Sequence, residues 1–404
     1  MRALKYRILV WAALVSGFSS CSGGNGAVKD SDCVVIDMEQ ALEGAEVVCL
    51  SKYASSIEYI PLETLPEGML GRVTAFTEGD GKFYFGSGQD NDGLKVFDDM
   101  GKFVGKIGDV GRGPGEYSKV MKLLYDDDNE RIAVVDVGKV IFYGADAGEK
   151  AVEVCLPDEI GNARIAGCND NGKLVVLAKE RNDVTGSVTE ICYIVGPDGN
   201  ILERVVIGPE MSQIVEMEHG KIVFSSGSTL VVNGDDIFSL CGSLDTLYRV
   251  EANGVEPELV LDYGSYKPLT QTQDVMNRLM VSASSIFEAD GFILFGFIGV
   301  NQFDQVVPDK SKQRGSGYML YDKSEKRAYV MKHDREYPLI GFKNDLDGGM
   351  NFAPRYIVGN SMYRVENASS FIEYAEKSTS AKMKEVAAML DEDSNPVLVK
   401  VVLK

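Results

Sequence analysis

GKLVVL, residues 172–177, contains the unit from which the fold can be predicted: a Gly-Lys turn runs into four apolar residues, two of them valine. Valine favours β-strands. The same unit, a polar turn followed by several apolar or β-branched residues, recurs along the chain. The other copies are GKFYF (81–85), ERIAVV (130–135), GKIVF (220–224), DGFILF (290–295) and RYIV (355–358). Recurrence of one short unit predicts a repeat architecture.

The spacing of the copies indicates which architecture this is. Taken from position 82, they start at 131, 173, 221, 292 and 356. Several copies are followed by another strand and a hairpin turn, as in 94–101, 193–200 and 318–323. A repeat of about 40–50 residues with about four strands is typical of a propeller blade. We therefore predict an all-β chain that folds as a six-bladed β-propeller of four-stranded blades.

A propeller must close into a ring, because each blade is apolar on both faces and needs two neighbours. The closing blade usually takes one strand from the other end of the chain, and the candidates are 57–62 and 397–403. One segment breaks the β pattern, since Met383, Val386 and Leu390 recur at helical spacing. We predict a helical insertion at about 369–391 in the last blade. It is expected to pack against the side of the propeller as a lid, with a partner-binding helix as the alternative.

The start of the chain has the form of a signal peptide. Arg2, Lys5 and Arg7 precede an apolar stretch of 11 residues, 8–18, which is too short to span a bilayer. Phe18-Ser19-Ser20-Cys21 then resembles a lipobox, in which Cys21 receives the lipid; an ordinary cleavage site before a cysteine is the alternative. The predicted organisation is a signal peptide at 1–20, an anchored tether and lead-in at 21–50, and the propeller at 51–404.

Charge and composition limit the partners. The chain carries 61 acidic and 41 basic residues, for a net charge of −20, and removal of residues 1–20 makes it −23. Such a surface repels nucleic acid and anionic headgroups, so the expected membrane contact is the lipid on Cys21. The first acidic residue after Cys21 is Asp30, which is a weak signal for the outer surface. We predict a periplasmic-facing lipoprotein of the outer membrane.

Cysteine and histidine provide little chemistry in this chain. No cysteine pair has C-x-x-C spacing, so we expect small buried thiols, although an oxidising periplasm allows pairing. His219 and His333 stand far apart without H-x-x-x-H spacing, and no G-x-S-x-G motif occurs. These patterns predict neither a histidine-rich metal site nor a hydrolase nucleophile, and no cofactor.

GRGPGEY, residues 111–117, is the motif with the most concentrated backbone chemistry. A phosphate loop is disfavoured because no G-K-[ST] follows and the next element, 121–125, has the pattern of a strand. The structural interpretation is a connector between blade 1 and blade 2, locked by an Arg112–Glu116 ion pair. The functional interpretation adds ligand binding by Arg112, Glu116 and Tyr117 at the rim of the central channel, where Arg suits a carboxylate or hydroxyl and Tyr stacks on a sugar.

Acidic turns are the remaining candidates for chemistry. The best is NDLDGG (344–349), in which Asp345 and Asp347 offer the oxygen ligands that Ca²⁺ prefers. The EF-hand spacing is absent, and Asx-Gly turns are common hairpin chemistry. Asp345 and Asp347 are therefore the predicted metal ligands, if any metal is held.

Several segments together resemble a known family. They are the lipobox, IEYIPLET (57–64), GKFVGKIGDVGRGPGEY (101–117), NDLDGGMNFAP (344–354) and NPVLVKVVLK (395–404). The chain resembles the six-bladed β-propeller lipoproteins, related to NHL-repeat proteins, of Gram-negative envelopes. The resemblance implies a lipid-anchored propeller over the whole mature chain and supplies no catalytic residues.

Two functions follow as hypotheses. The first is a binding or scaffolding module that holds a glycan, a peptide or an outer-membrane protein. The second is a metal-dependent propeller enzyme, lactonase- or lyase-like, with its site in the central channel. The first is favoured because only fold analogy supports chemistry.

Overall fold

The computed structural model describes residues 33–87, 93–144, 151–160, 163–168, 173–209, 211–217, 220–226, 229–233, 236–240, 245–266, 280–300, 307–308, 314–332 and 340–404. The predicted signal peptide, Cys21 and both histidines lie outside these residues. Within them, no helix combines the length and apolarity needed to cross a membrane.

Six sheets of four or more strands form a β-propeller, as predicted. The strands of each blade follow from the innermost to the outermost, and neighbours in this order pair antiparallel. Blade 1 is Val73–Gly79, Lys82–Ser87, Leu94–Asp98 and Phe103–Ile107; blade 2 is Lys122–Asp126, Arg131–Asp136, Lys139–Gly144 and Val152–Cys155; blade 3 is Ala163–Cys168, Leu174–Arg181, Val188–Val195 and Ile201–Pro209.

The other three blades are less regular. Blade 4 is Thr229–Asn233, Asp236–Leu240, Thr246–Glu251 and Gly254–Asp262; blade 5 is Met280–Ala289, Phe292–Val300, Arg314–Asp322 and Arg327–Val330, with Val307–Pro308 also paired to its third strand; blade 6 is Tyr356–Val358, Ser361–Glu366, Val397–Leu403 and Ala54–Pro61. A separate hairpin, Met211–Met217 with Gly220–Ser226, precedes blade 4 in the chain. Short 3-10 turns lie at Leu50–Lys52, Pro66–Gly68, Asp127–Asn129 and Asp158–Ile160.

Two copies of the sequence repeat occupy unexpected positions. The copies at 82, 131, 173 and 292 mark the second strands of blades 1, 2, 3 and 5. The copy at 220–224 belongs to the separate hairpin, and the copy at 355–358 marks the innermost strand of blade 6. The repeat reports an apolar strand after a turn, and several strands of one blade satisfy that description.

The ring is held together at the seams between blades. Innermost strands of consecutive blades contact each other around the ring, and the innermost strand of blade 6 contacts that of blade 1. Each of the six seams contains its own apolar core. Successive residues of one strand enter opposite seams: Val134 faces blade 1 and Val135 faces blade 3. Period-2 side-chain alternation with apolar residues on both faces therefore produces the propeller.

Blade 6 closes the ring as predicted. Its outermost strand, Ala54–Pro61, comes from the start of the chain and pairs with Val397–Leu403 near the end, with Ile57 opposite Val401 and Tyr59 opposite Val399. Two helices, α2 (Ala368–Lys377) and α3 (Ala381–Ala387), occupy the predicted insertion.

The two helices pack onto the seam between blades 5 and 6. Phe371 of α2 and Met383 of α3 are fully buried in its core. The Ser380 side chain caps α3 by accepting a hydrogen bond from the Met383 N–H at 3.1 Å. This arrangement matches the lid interpretation of the insertion.

Residues 33–53 at the end of the lead-in form what we call the strap. Val34–Asp37 adds a fifth strand to blade 4, parallel to Leu259–Asp262. Helix α1 (Met38–Glu43) follows, and isolated bridges then join Glu46 to Met331 and Cys49 to Lys343. The strap thus runs past blades 4 and 5 before entering blade 6. Its apolar residues, including Ile36 and Met38, fill the seam between blades 4 and 5.

Candidate functional site

A cleft of about 510 Å³ lies between blades 5 and 6, and we call it the blade 5–6 cleft. Its size is within the range of ligand-binding sites. Its walls are hairpin turns of the two blades, the end of the strap and the end of the blade 6 strand Val397–Leu403. It is lined by residues 52–53, 288–292, 322, 324, 359–360 and 403–404.

Asp322 organises the floor of this cleft. Its side chain is 2 % exposed. One carboxylate oxygen, Oδ1, accepts hydrogen bonds from the Ser324 N–H at 2.9 Å, the Ser324 hydroxyl at 2.7 Å and the Glu325 N–H at 2.9 Å. These bonds fix the turn that joins the last two strands of blade 5, and Asp favours such turns because its side chain bonds the backbone two or three residues ahead.

The second oxygen of Asp322 faces the strap. Oδ2 accepts the Tyr53 hydroxyl at 2.9 Å and lies 3.1 Å from the Lys52 ammonium. Lys52 also lies 2.7 Å from Glu325 Oε1, and its ammonium stands 4.6 Å from the centre of the Tyr329 ring. The ammonium of Lys52 is therefore committed to groups of the protein and is not free to bind an anion.

The proton equilibria follow from these contacts. Burial favours the neutral form of Asp322, but hydrogen bonds from Glu325, Ser324, Lys52 and Tyr53 outweigh it, and the pKa of the carboxyl is lowered. Burial likewise disfavours the charged form of Lys52, and its hydrogen bonds to Glu325 and Asp322 reverse the balance, so its pKa is raised. Burial raises the pKa of Tyr53. The floor is a fixed ion pair at neutral pH.

Glu288 differs from the groups of the floor, because one of its oxygens has no hydrogen-bond partner in the described chain. Its side chain is 7 % exposed, and Oε1 accepts a hydrogen bond from the Lys323 ammonium at 2.7 Å. The other oxygen, Oε2, is buried and has no hydrogen-bond partner among the described residues. A buried acceptor without a donor costs about 1–3 kcal/mol. Next to it, the exposed Asp290 forms no hydrogen bond or ion pair within the described chain. The lining of the cleft thus includes one residue with an acceptor oxygen that has no donor in the described chain and one exposed carboxylate without a partner there.

A second cleft provides a contrast within the same ring. It has a volume of about 630 Å³ and lies between blades 2 and 3, lined by residues 153–159 and 197–201. The Asp198 carboxylate there accepts hydrogen bonds from the backbone N–H and side-chain amide of Asn200. None of the buried side-chain atoms without a partner in the described chain belongs to this cleft. Volume alone therefore does not distinguish a binding site in this ring.

The GRGPGEY motif lies in the connector loop, residues 108–119, between the outermost strand of blade 1 and the innermost strand of blade 2. Asp109–Val110 and Glu116–Tyr117 pair as two short parallel strands within it. Gly115 has a φ of +73°, which favours glycine. A Cβ on Gly111 would stand 1.9 Å from Glu116 Oε2, so that glycine makes room for the glutamate. The loop has the connector position that the sequence predicts.

The three candidate binding residues of this loop have different environments. Arg112 is exposed, and within the described residues it forms no ion pair with Glu116. The Glu116 carboxylate instead accepts the Gly113 N–H at 2.7 Å. Tyr117 is 1 % exposed; its hydroxyl donates to the Ile107 carbonyl at 3.0 Å and accepts the Leu94 N–H at 2.7 Å. The ring is therefore a core element of the blade 1–2 seam, and in this conformation it offers no face to a sugar.

The two candidate metal ligands connect segments of the protein. Asp345 accepts the N–H of Ser51 at 2.8 Å and its hydroxyl at 2.5 Å, which ties the strap to the segment that precedes blade 6. Asp347 accepts hydrogen bonds from the Tyr59 hydroxyl at 3.2 Å and the Ser380 hydroxyl at 2.5 Å. Within the described residues, no group of three or more His, Cys, Asp or Glu side chains has the geometry of a metal site.

The sequence did not single out the residues of the blade 5–6 cleft. Glu288 and Asp322 lie at the ends of two strands of blade 5, next to turns that resemble other turns of the chain. Lys52 comes from a segment at the far end of the sequence. The sequence offered one signal, acidic residues at successive turns of one repeat, and the other repeats also carry them.

Comparison with known families adds an identity to this fold. A family model described as "Domain of unknown function (DUF4934)" matches residues 33–402, which include the strap and all six blades. The chain belongs to this family. The match begins at the first residue of the strap, so the strap is part of the family's domain. No curated protein sequence matches the chain.

Solved structures with similar folds include a putative exported protein from Bacteroides fragilis NCTC 9343. It is 18 % identical, covers 92 % of this chain and 99 % of its own, and has a TM-score of 0.63. The extracellular domain of a putative hybrid two-component system from B. thetaiotaomicron is 12 % identical, covers 70 % of this chain and 39 % of its own, and has a TM-score of 0.37. The first likeness supports the fold, and the second is too weak to carry an argument.

Proposed function

We propose that this protein is an exported binding module whose ligand site is the blade 5–6 cleft, and that the ligand is a hydrogen-bond-donating molecule such as a short glycan segment. One observation carries the proposal: Glu288 is a lining residue of the cleft, and one of its carboxylate oxygens is buried without a donor among the described residues. A ligand hydroxyl or amine that donates to this oxygen removes the cost of the unmade hydrogen bond. Glycans supply such donors at high density.

The cleft has further features of a glycan site. The Asp290 carboxylate and the Asn360 amide stand at its edge, and such groups hydrogen-bond sugar hydroxyls. The Lys52–Asp322 floor is rigid, because both partners are held by several contacts. A preformed wall lowers the entropy cost of binding. The alternative ligand for the same cleft is a peptide or an outer-membrane protein, which the propeller would then hold as a scaffold.

An envelope location is the second part of the proposal. The lipobox at Cys21 and the short apolar stretch before it support export and lipid anchoring. The similar fold of a putative exported protein agrees with that location. We propose that the propeller faces the periplasm from the outer membrane, where glycans and envelope proteins are accessible.

Calorimetry of the purified protein with a panel of neutral and charged di- to tetrasaccharides tests the proposal. The chain offers a blocking variant: Gly291 lines the cleft, and a Cβ there meets nothing within 4 Å. We expect Gly291→Leu to abolish binding of any sugar that binds the unmodified protein with a Kd of about 1 mM or lower. Asp99→Leu, at an exposed turn of blade 1, is the matched control and should leave binding unchanged. Absence of binding by the whole panel, or equal binding by both variants, contradicts the proposal.

A further inference from the structure

The contacts of Glu288 indicate which charge the ligand carries. The Oε2 atom of Glu288 is buried and has no hydrogen-bond partner among the described residues. The other oxygen, Oε1, accepts a hydrogen bond from the Lys323 ammonium. The Lys323 side chain is 31 % exposed, whereas that of Glu288 is 7 % exposed. The lysine is thus the movable member of the pair, and a ligand donor gains access to the carboxylate when that side chain turns outward.

Displacing the lysine changes the charge balance inside the cleft. A buried carboxylate whose cation is removed is strongly destabilised, because its charge is then uncompensated. A neutral hydroxyl that replaces Lys323 supplies a hydrogen bond without a charge. An ammonium supplies both the hydrogen bond and the positive charge that compensates the buried carboxylate. The exchange therefore favours a cationic donor.

Other charges around the cleft agree with this assignment. Asp290 adds a carboxylate without a partner in the described chain, and Asp322 and Glu325 already hold Lys52. Lys404 is a cation in the lining, but it is exposed, so water screens it more than it screens Glu288. A metal ion is a poorer candidate, since the described residues provide no group of three ligands.

We infer that the blade 5–6 cleft binds a ligand that carries a protonated amine beside its hydroxyl groups, as an amino sugar does, and that this ammonium replaces Lys323 on the Glu288 carboxylate. The inference rests on the proposed function and makes it narrower. Glu288 is then the residue that determines specificity, and Lys323 is an internal competitor of the ligand.

The test compares one sugar in two charge states. The probes are the disaccharide of β-1,4-linked glucosamine, whose amines are protonated at pH 6, and its fully N-acetylated form, which is neutral. We expect the purified protein to bind the amine form about tenfold more tightly in calorimetry. Glu288→Gln should reduce this preference to about onefold. Lys323→Met should increase the affinity for the amine form several-fold, because it removes the competitor.

Controls separate this inference from the proposal on which it rests. Glu159→Gln removes one negative charge at the exposed rim of the blade 2–3 cleft and should leave the preference unchanged. Thermal melting establishes that each variant is folded. Equal affinity for the two probes, or tighter binding of the acetylated form, overturns the inference and leaves the proposed function standing. If the amine form fails to bind while other sugars of the panel bind, the inference is equally wrong. Failure of every sugar overturns both.

Discussion

The connector loop at the blade 1–2 seam and the cleft at the blade 5–6 seam both lie where neighbouring blades meet. They use polar groups in opposite ways. In the connector loop, the Glu116 carboxylate closes on the Gly113 N–H and the Tyr117 hydroxyl serves two backbone groups. In the cleft, Glu288 retains a buried oxygen that no described residue serves.

This contrast indicates where binding capacity lies. A loop that satisfies its own donors and acceptors gains rigidity and has little left for a ligand. A cleft with an unserved acceptor is less stable alone and gains more from a partner. The GRGPGEY motif, the most conspicuous in the sequence, thus uses its polar groups for hydrogen bonds within the protein. The better candidate for ligand binding, the blade 5–6 cleft, is built from turns that carry no motif.

The connector loop should respond most strongly to mutation. Tyr117→Ala removes a fully buried ring and the acceptor of the Leu94 N–H, so the free energy of unfolding should fall by about 3–5 kcal/mol. Urea denaturation measures it. Tyr117→Phe, which keeps the ring, should cost about 1–3 kcal/mol. If Tyr117→Ala lowers the free energy of unfolding by less than about 1 kcal/mol, the loop does not stabilise the fold through its internal contacts, and the contrast with the cleft fails.

An intermediate effect is expected on the floor of the cleft. Asp322→Asn removes the charge that Lys52 and Tyr53 share, and it should lower the free energy of unfolding by about 2 kcal/mol at pH 7. The pKa of Asp322 is lower in the folded protein than in the unfolded chain, where it is about 3.9. Its contribution is therefore complete above that pH and is lost as the pH falls through the folded pKa.

The pH dependence separates the charge of Asp322 from its shape. Denaturation curves between about pH 7 and about pH 2 should converge for the unmodified protein and Asp322→Asn as the pH decreases. Curves that stay parallel would show that the asparagine harms packing instead, and the floor would then be no ion pair.

Mutation of Arg112 should have the weakest effect. The side chain is exposed and forms no ion pair within the described residues, so Arg112→Ala should change the free energy of unfolding by less than about 0.5 kcal/mol in urea denaturation. It should also leave sugar binding in the cleft unchanged. If binding of any panel sugar is lost in this variant, the connector loop is a ligand site, and the contrast between the two seams fails.

The fold was largely predictable, because its determinants are local. Strands such as Leu174–Arg181 are recognisable by their β-branched residues, and residues with alternating faces, such as Val134 and Val135, require a neighbour on each side. The closing pair was predictable for the same reason. The place of a strand within its blade was not, since the copy at 220–224 has the same pattern as a second strand and lies in a separate hairpin.

The candidate site was not predictable, because it depends on three-dimensional proximity. The Lys52–Asp322 contact joins the strap to the last turn of blade 5, and nothing near either residue marks the other. Whether the oxygens of a carboxylate find hydrogen-bond donors depends on burial and on neighbours in space such as Lys323. The sequence therefore does not distinguish Glu116 from Glu288. The strap shows the same limit: Val34-Val35-Ile36 has the pattern of a short strand, but nothing near it indicates that it pairs with blade 4.

The strap and the closing strand determine when the cleft can exist. Tyr53 meets Asp322 across 269 positions of sequence, and Ser51 meets Asp345 across 294. Contacts between such distant positions form late, because the loop they close must first be ordered. The cleft is therefore absent from any chain whose ring is still open, and a partly synthesised chain cannot bind through it. Ligand binding would then report on the completion of folding.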